Sequence, residues 1–131
     1  MKLQQLTNDI YICDQIELLD IEQFIGLGIK TIINNRPDQE IKMPLSVAVA
    51  EKSKEFGINY YYLPIEPNGY TSNNIESITA ILNESFKPVI AYCRTGNRST
   101  SLWAKSQQSI LGRETVIKKA KKIGFDIEEI L

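Results

Sequence analysis

The chain has 131 residues, 43% apolar and 24% charged, which is the size and balance of one soluble globular domain over 1–131. Fifteen Lys and Arg against sixteen Asp and Glu leave a formal charge of −1, arguing against a general nucleic-acid or membrane-surface binder. The absence of histidine excludes Ser-His-Asp hydrolysis, Cys-His proteolysis, His-ligated zinc and His-held haem.

Short apolar runs alternate with segments of helical period. Ile10 to Cys13 reads as a strand. Asp20 is placed to cap a helix through Leu27, with Ile21, Phe24 and Ile25 on one face and Gly28 as the stop. Thr31 to Asn34 is a second strand, running into the polar loop Asn35-Arg36-Pro37-Asp38-Gln39-Glu40. Leu45 to Phe56 reads as a helix stopped by Gly57, and Asn59 to Leu63 as an aromatic-rich strand leading into the loop Pro64 to Thr71. Ser72 to Phe86 places Ile75, Ile78, Leu82 and Phe86 at helical spacing. Pro88 to Tyr92 is wholly apolar and is expected at the centre of the sheet. Ser99 to Ile110 and Glu114 to Ile123 read as helices, with a last helical turn over Asp126 to Leu131. Alternating strands and helices predict an α/β layer fold with a mostly parallel sheet, whose site lies at the carboxyl ends of the strands.

Chemistry concentrates in Tyr92-Cys93-Arg94-Thr95-Gly96-Asn97-Arg98-Ser99-Thr100. A buried strand ends at a cysteine, and a polar loop with a glycine leads to an arginine and a helix. Loop amides from Arg94 to Ser99 are expected to form an anion nest, with Gly96 taking a turn that a side chain would oppose. The helix N-terminus and the planar fork of Arg98 add positive charge to the same spot. Cys93 at the foot of this cup is expected as a thiolate nucleophile. The Ser99 hydroxyl is placed either to hydrogen-bond the departing sulfur or to cap the helix.

Cys93-Arg94-Thr95-Gly96-Asn97-Arg98-Ser99 resembles the active loops of dual-specificity cysteine phosphatases and of rhodanese-like sulfurtransferases. The segment Gly28 to Asp38, with Tyr62-Leu63-Pro64-Ile65, Ser101-Leu102-Trp103-Ala104 and the helix end Ala120 to Gly124, is similar to the β-lactamase-hydrolase-like phosphatase domain, also called DUF442. The resemblance runs from about Leu6 to Leu131. It implies a cysteine-dependent phosphatase-like fold, with four to five strands and helices on both faces. Carried over, it makes Cys93 the nucleophile and Arg98 the oxyanion binder. The amides of Arg94, Thr95, Gly96 and Asn97 become the cradle, and Ser99 the hydroxyl that assists the leaving thiolate.

Two chemistries follow. Phosphomonoester hydrolysis through a thiophosphate on Cys93 requires a general acid. Glu66 holds the expected position, 27 residues before Cys93, and Asp38 competes with it; the alternatives are a solvated loop carboxylate and a turn former, respectively. Arg36 is either a second contact to an anionic substrate or part of a surface ion pair. Sulfur transfer through a Cys93 persulfide needs no acid. The four residues between Cys93 and Arg98 match it, because dual-specificity phosphatases carry five, with a His before the Cys where Tyr92 stands here. A phosphoanion-binding module is the third reading. The substrate is accordingly a phosphorylated protein, a small phosphoester or a sulfane-sulfur donor. No metal, no organic cofactor, no nucleic acid and no membrane partner is expected.

Other features read as structural. The lysines at 118, 119, 121 and 122 fan into water around a core face of Val116, Ala120 and Ile123, and Trp103 packs in the core. At most one or two of Tyr60, Tyr61 and Tyr62 would line a pocket. Cys13 and Cys93 cannot hold zinc alone, and Cys13 is expected to be a buried small side chain, with a protective disulfide to Cys93 as the bolder alternative. The first residues lack a signal-peptide core and no apolar run would span a bilayer, so a cytoplasmic protein with free thiols is expected.

Overall fold

The computed structural model describes residues 1–131. Its sheet has five strands: β1 (Leu3–Thr7), β2 (Ile10–Cys13), β3 (Thr31–Asn34), β4 (Asn59–Tyr62) and β5 (Val89–Tyr92). They lie in the order β1-β2-β5-β3-β4, so the apolar run at Val89 forms the middle strand, as its composition predicts. Every pairing is parallel except that of β1 with β2. Five α-helices accompany the sheet: α1 (Asp20–Gly26), α2 (Ser46–Glu55), α3 (Ser72–Glu84), α4 (Asn97–Leu111) and α5 (Arg113–Lys122). None is long and apolar enough to cross a membrane.

Strand alternation sorts the core into two layers. Ile12, Ile33 and Ala91 face α3, α4 and α5, packing on Ile78, Leu82, Leu102, Trp103, Val116 and Ala120. Ile32, Ile90, Tyr92 and Cys13 face the other side, with Ile21 and Phe24 of α1 and Val49 of α2. Register aligns Cys13, Tyr92 and Asn34 across three parallel strands, with Tyr62 beside Asn34. The residues that follow, Asp14, Cys93, Asn35 and Leu63, therefore leave the sheet along one edge.

Four details depart from the sequence-based expectations. β1 was not expected; it is an edge strand with a register shift between Gln5 and Thr7. Asp20 does not cap α1: Leu19 occupies that position, and the Asp20 carboxylate accepts the Glu17 amide at 2.7 Å. Ile25 is 47% exposed, because only Ile21 and Phe24 of that short helix reach the core. Phe86 is 70% exposed, because α3 ends at Glu84 and Ser85 is extended, which takes Phe86 off the helical period. Trp103 and the Val116, Ala120, Ile123 face are buried as expected.

Candidate active site

β5 delivers Cys93 to the carboxyl end of the sheet, and α4 starts four residues later. Cys93 is 1% exposed. Its sulfur accepts the Gly96 amide at 3.2 Å. Gly96 has φ of 99°, and a Cβ there would meet Ile12 Cγ2 and Phe125 Cζ at 3.0 Å each, so the tight turn requires glycine. The Gly96 carbonyl accepts both the amide and the hydroxyl of Thr100, at 3.0 and 2.8 Å, which ties the loop to the first turn of α4. The amides of Arg94 and Thr95 have no acceptor within the protein, whereas that of Asn97 donates to Thr95 Oγ1 at 3.2 Å. Of the four amides expected to form the cradle, that of Gly96 faces the sulfur and that of Asn97 is engaged within the loop. The side chains of Arg94, Thr95 and Asn97 are exposed.

Arg98 is buried, and its guanidinium is held on one edge. Nη1 donates to Glu40 Oε2 at 2.9 Å and to the Ile65 carbonyl at 2.7 Å, while Nη2 donates to Glu40 Oε1 at 2.8 Å. This bidentate pairing leaves Nε and the second Nη2 hydrogen on the other edge. Hydrogen bonds from Arg98 hold the Glu40 carboxyl below the ordinary glutamate range, and the bond to Glu40 likewise raises Arg98. Both groups stay charged at neutral pH.

Arg36 donates through Nη1 to Gln15 Oε1 at 3.0 Å and through Nη2 to the Glu40 carbonyl at 3.1 Å, and its Nε lies 3.5 Å from Glu40 Oε1. The Gln15 backbone amide donates to the Arg94 carbonyl at 3.3 Å. Contacts therefore run from Arg94 through Gln15, Arg36 and Glu40 to Arg98, forming a ring that begins and ends in the Cys93–Arg98 loop. Sequence reasoning overlooked Glu40 and Gln15. The available signal was a glutamate four residues after Arg36 in a loop bound for the same sheet edge.

The two acid candidates differ in their surroundings. Asp38 Oδ1 accepts the Ser46 amide at 2.8 Å, capping the start of α2, and the Asp38 amide donates to the Tyr62 hydroxyl at 2.8 Å. Glu66 is exposed, and its Oε1 accepts from Gln39 Nε2 at 3.4 Å, which links the two acid-bearing loops. The Ser99 hydroxyl donates its hydrogen to Asn35 Oδ1 at 2.8 Å. It is not a cap, because Gly96 precedes the first residue of α4. Cys13 and Cys93 are both free thiols, and burial pushes the Cys13 thiol well up. Of the three tyrosines of β4, Tyr61 packs against the core and Tyr60 shares its hydroxyl with Asn34 and Ser46, at 3.0 and 2.7 Å.

The model of the family described as "Beta-lactamase hydrolase-like protein, phosphatase-like domain" matches residues 2–110. A beta-lactamase hydrolase-like protein of Agrobacterium fabrum is 25% identical over 130 residues, which is 97% of this chain. The chain spans only 30% of the length of that relative. Among solved structures, a provisionally assigned phosphatase of Neisseria meningitidis superposes with a TM-score of 0.83 at 29% identity, covering 96% of this chain and 91% of its own. A cysteine-to-serine variant of TpbA from P. aeruginosa in complex with pTyr shares the fold, with a TM-score of 0.68 at 14% identity over 95% of this chain and 75% of its own. The fold is that of the cysteine-dependent phosphatases, and the chain belongs to the phosphatase-like domain family of beta-lactamase hydrolase-like proteins.

Proposed function

We propose that this chain is a cysteine-dependent phosphatase acting on a phosphomonoester. The observation that carries the reading is the pairing of a buried Cys93, at the end of the middle strand, with a buried Arg98 whose guanidinium keeps one fork free. The start of α4 and the free Arg94 and Thr95 amides add positive potential where a phosphoryl oxygen would sit. The Cys93 thiolate attacks phosphorus, an S–P bond forms and the ester P–O bond breaks. The leaving oxygen takes its proton from the Glu66 carboxyl, and Arg98 balances charge on the equatorial oxygens. Water then attacks phosphorus, giving its proton to the Glu66 carboxylate as the S–P bond breaks and the thiolate returns. Glu66 suits the acid role better than Asp38, because Asp38 already serves the α2 amide. The bound pTyr of TpbA suggests a phosphotyrosine or similar aryl phosphate as the first substrate to try.

One observation favours sulfur transfer instead. The four-residue loop turns only the Gly96 amide toward sulfur, while the Asn97 amide serves Thr95. In that reaction the thiolate attacks the sulfane sulfur of thiosulfate, sulfite leaves, and cyanide then removes the terminal sulfur of the persulfide as thiocyanate. Acid-quench mass spectrometry of the Cys93 peptide after brief exposure to p-nitrophenyl phosphate tests the assignment. A phosphoryl adduct on Cys93 is expected. No adduct with phosphate, but a persulfide with thiosulfate, would overturn it.

A further inference from the structure

Glu40 lies in a loop 58 residues before Arg98, yet its carboxylate takes up one complete edge of that guanidinium. A carboxylate on an oxyanion-binding arginine has two opposite meanings. It either occupies the place of the substrate and must leave, or it fixes the arginine so that another edge serves the substrate.

The geometry distinguishes them. Glu40 uses the Nη1–Nη2 edge, and Ile65 takes the remaining Nη1 hydrogen. Nε and one Nη2 hydrogen remain, a complete second fork. Glu40 is itself tied down: its carbonyl accepts Arg36 Nη2, its amide donates to the Pro37 carbonyl at 3.1 Å, and Asp38 beside it is held by Tyr62 and Ser46. Arg36 is steadied in turn by Gln15, which also grips the Arg94 carbonyl. A gate that must open would not be tethered at so many points. A free arginine, by contrast, loses side-chain entropy each time it binds an anion, and a pre-set fork avoids that loss.

We propose that Glu40 is a positioning residue: it holds Arg98 with its Nε edge toward the Cys93 cup, and the Arg94–Gln15–Arg36–Glu40–Arg98 ring keeps the catalytic loop open for an oxyanion. The proposal rests on the functional reading only in taking Arg98 as the oxyanion holder. Phosphoryl and sulfur transfer need it equally.

The two meanings predict opposite signs. Calorimetric titration of inorganic sulfate into Cys93→Ser protein reads binding without turnover. Glu40→Gln removes a negative charge from the site, so simple electrostatics favours tighter binding. Positioning predicts that binding weakens about tenfold, the loss typical of one charge-assisted hydrogen bond, and that Glu40→Asp restores part of it. Gln15→Ala, which touches neither Glu40 nor Arg98 and removes the side-chain link of the ring to Arg36, should weaken binding in the same direction. Tighter or unchanged sulfate binding in either folded variant overturns the proposal. A Cys93→Ser parent that binds no sulfate refutes the oxyanion-holder assignment itself, which separates that failure from a failure of Glu40.

Discussion

The Ser99 hydroxyl donates to Asn35 Oδ1 at 2.8 Å, and Asn35 passes the connection on by donating through Nδ2 to the Leu63 carbonyl at 2.9 Å. Both residues are buried, so the bond joins the first turn of α4 to the segments leaving β3 and β4. Ser99→Ala leaves the Asn35 oxygen buried without a partner. It should cost about 1–3 kcal/mol of stability, read from urea unfolding midpoints at unchanged slope. A variant as stable as the parent would show that this bond contributes nothing net.

Gly96 carries a conformational requirement and a steric one together. Gly96→Ala places a methyl at positive φ against Ile12 and Phe125. The substitution should destabilise by roughly 1–3 kcal/mol, and sulfate affinity should fall as the loop shifts. Thermal unfolding and calorimetry on the same sample check both effects.

Cys93→Ser should abolish turnover and retain anion binding, because Arg98 and the loop amides are left in place. A Cys93→Ser protein with undiminished activity would place the chemistry elsewhere.

The Glu40–Arg98 pair makes stability depend on acid. Hydrogen bonds from Arg98 lower the Glu40 carboxyl in the folded state, so the ion pair's contribution is present above the unfolded glutamate value of about 4.3. It is lost as pH falls through the lower folded value. The stability gap between the parent and Glu40→Gln should therefore be full at pH 7 and shrink below about pH 4. Denaturant unfolding at several pH values reads this directly. A gap that widens in acid would contradict the pairing.

What was legible in the sequence is what local pattern encodes. The run Val89 to Tyr92 ending at Cys93, then Gly96, Arg98 and a helix, announced both the middle strand and the loop. β1 was hidden because Leu3 to Thr7 mixes two glutamines into an edge strand, where only Leu6 is fully buried. Phe86 was misplaced because periodicity does not mark where a helix stops. Glu40, Gln15 and Asn35 were illegible for another reason. Each acts across 58 to 79 residues of chain, through contacts that exist only once β2, β3 and β5 align. The partners of Ser99 and Asn97 were likewise unreadable, because a hydroxyl or an amide can take several partners and the fold selects one.

Glu66 and Asp38 separate by leaving group. Glu66→Gln should slow phenyl phosphate hydrolysis far more than p-nitrophenyl phosphate hydrolysis, by about 10²–10⁴-fold for the poorer leaving group. Asp38→Asn should chiefly weaken the start of α2, because its oxygen holds the Ser46 amide. A selective loss in Asp38→Asn instead would exchange their roles.

The most direct test runs purified protein in parallel on p-nitrophenyl phosphate and on thiosulfate with cyanide, with Cys93→Ser as the blank. The phosphatase reading predicts Cys93-dependent release of p-nitrophenol and phosphate, with little thiocyanate. Cys93-dependent thiocyanate without phosphate release would contradict it and assign the same fold to sulfur transfer.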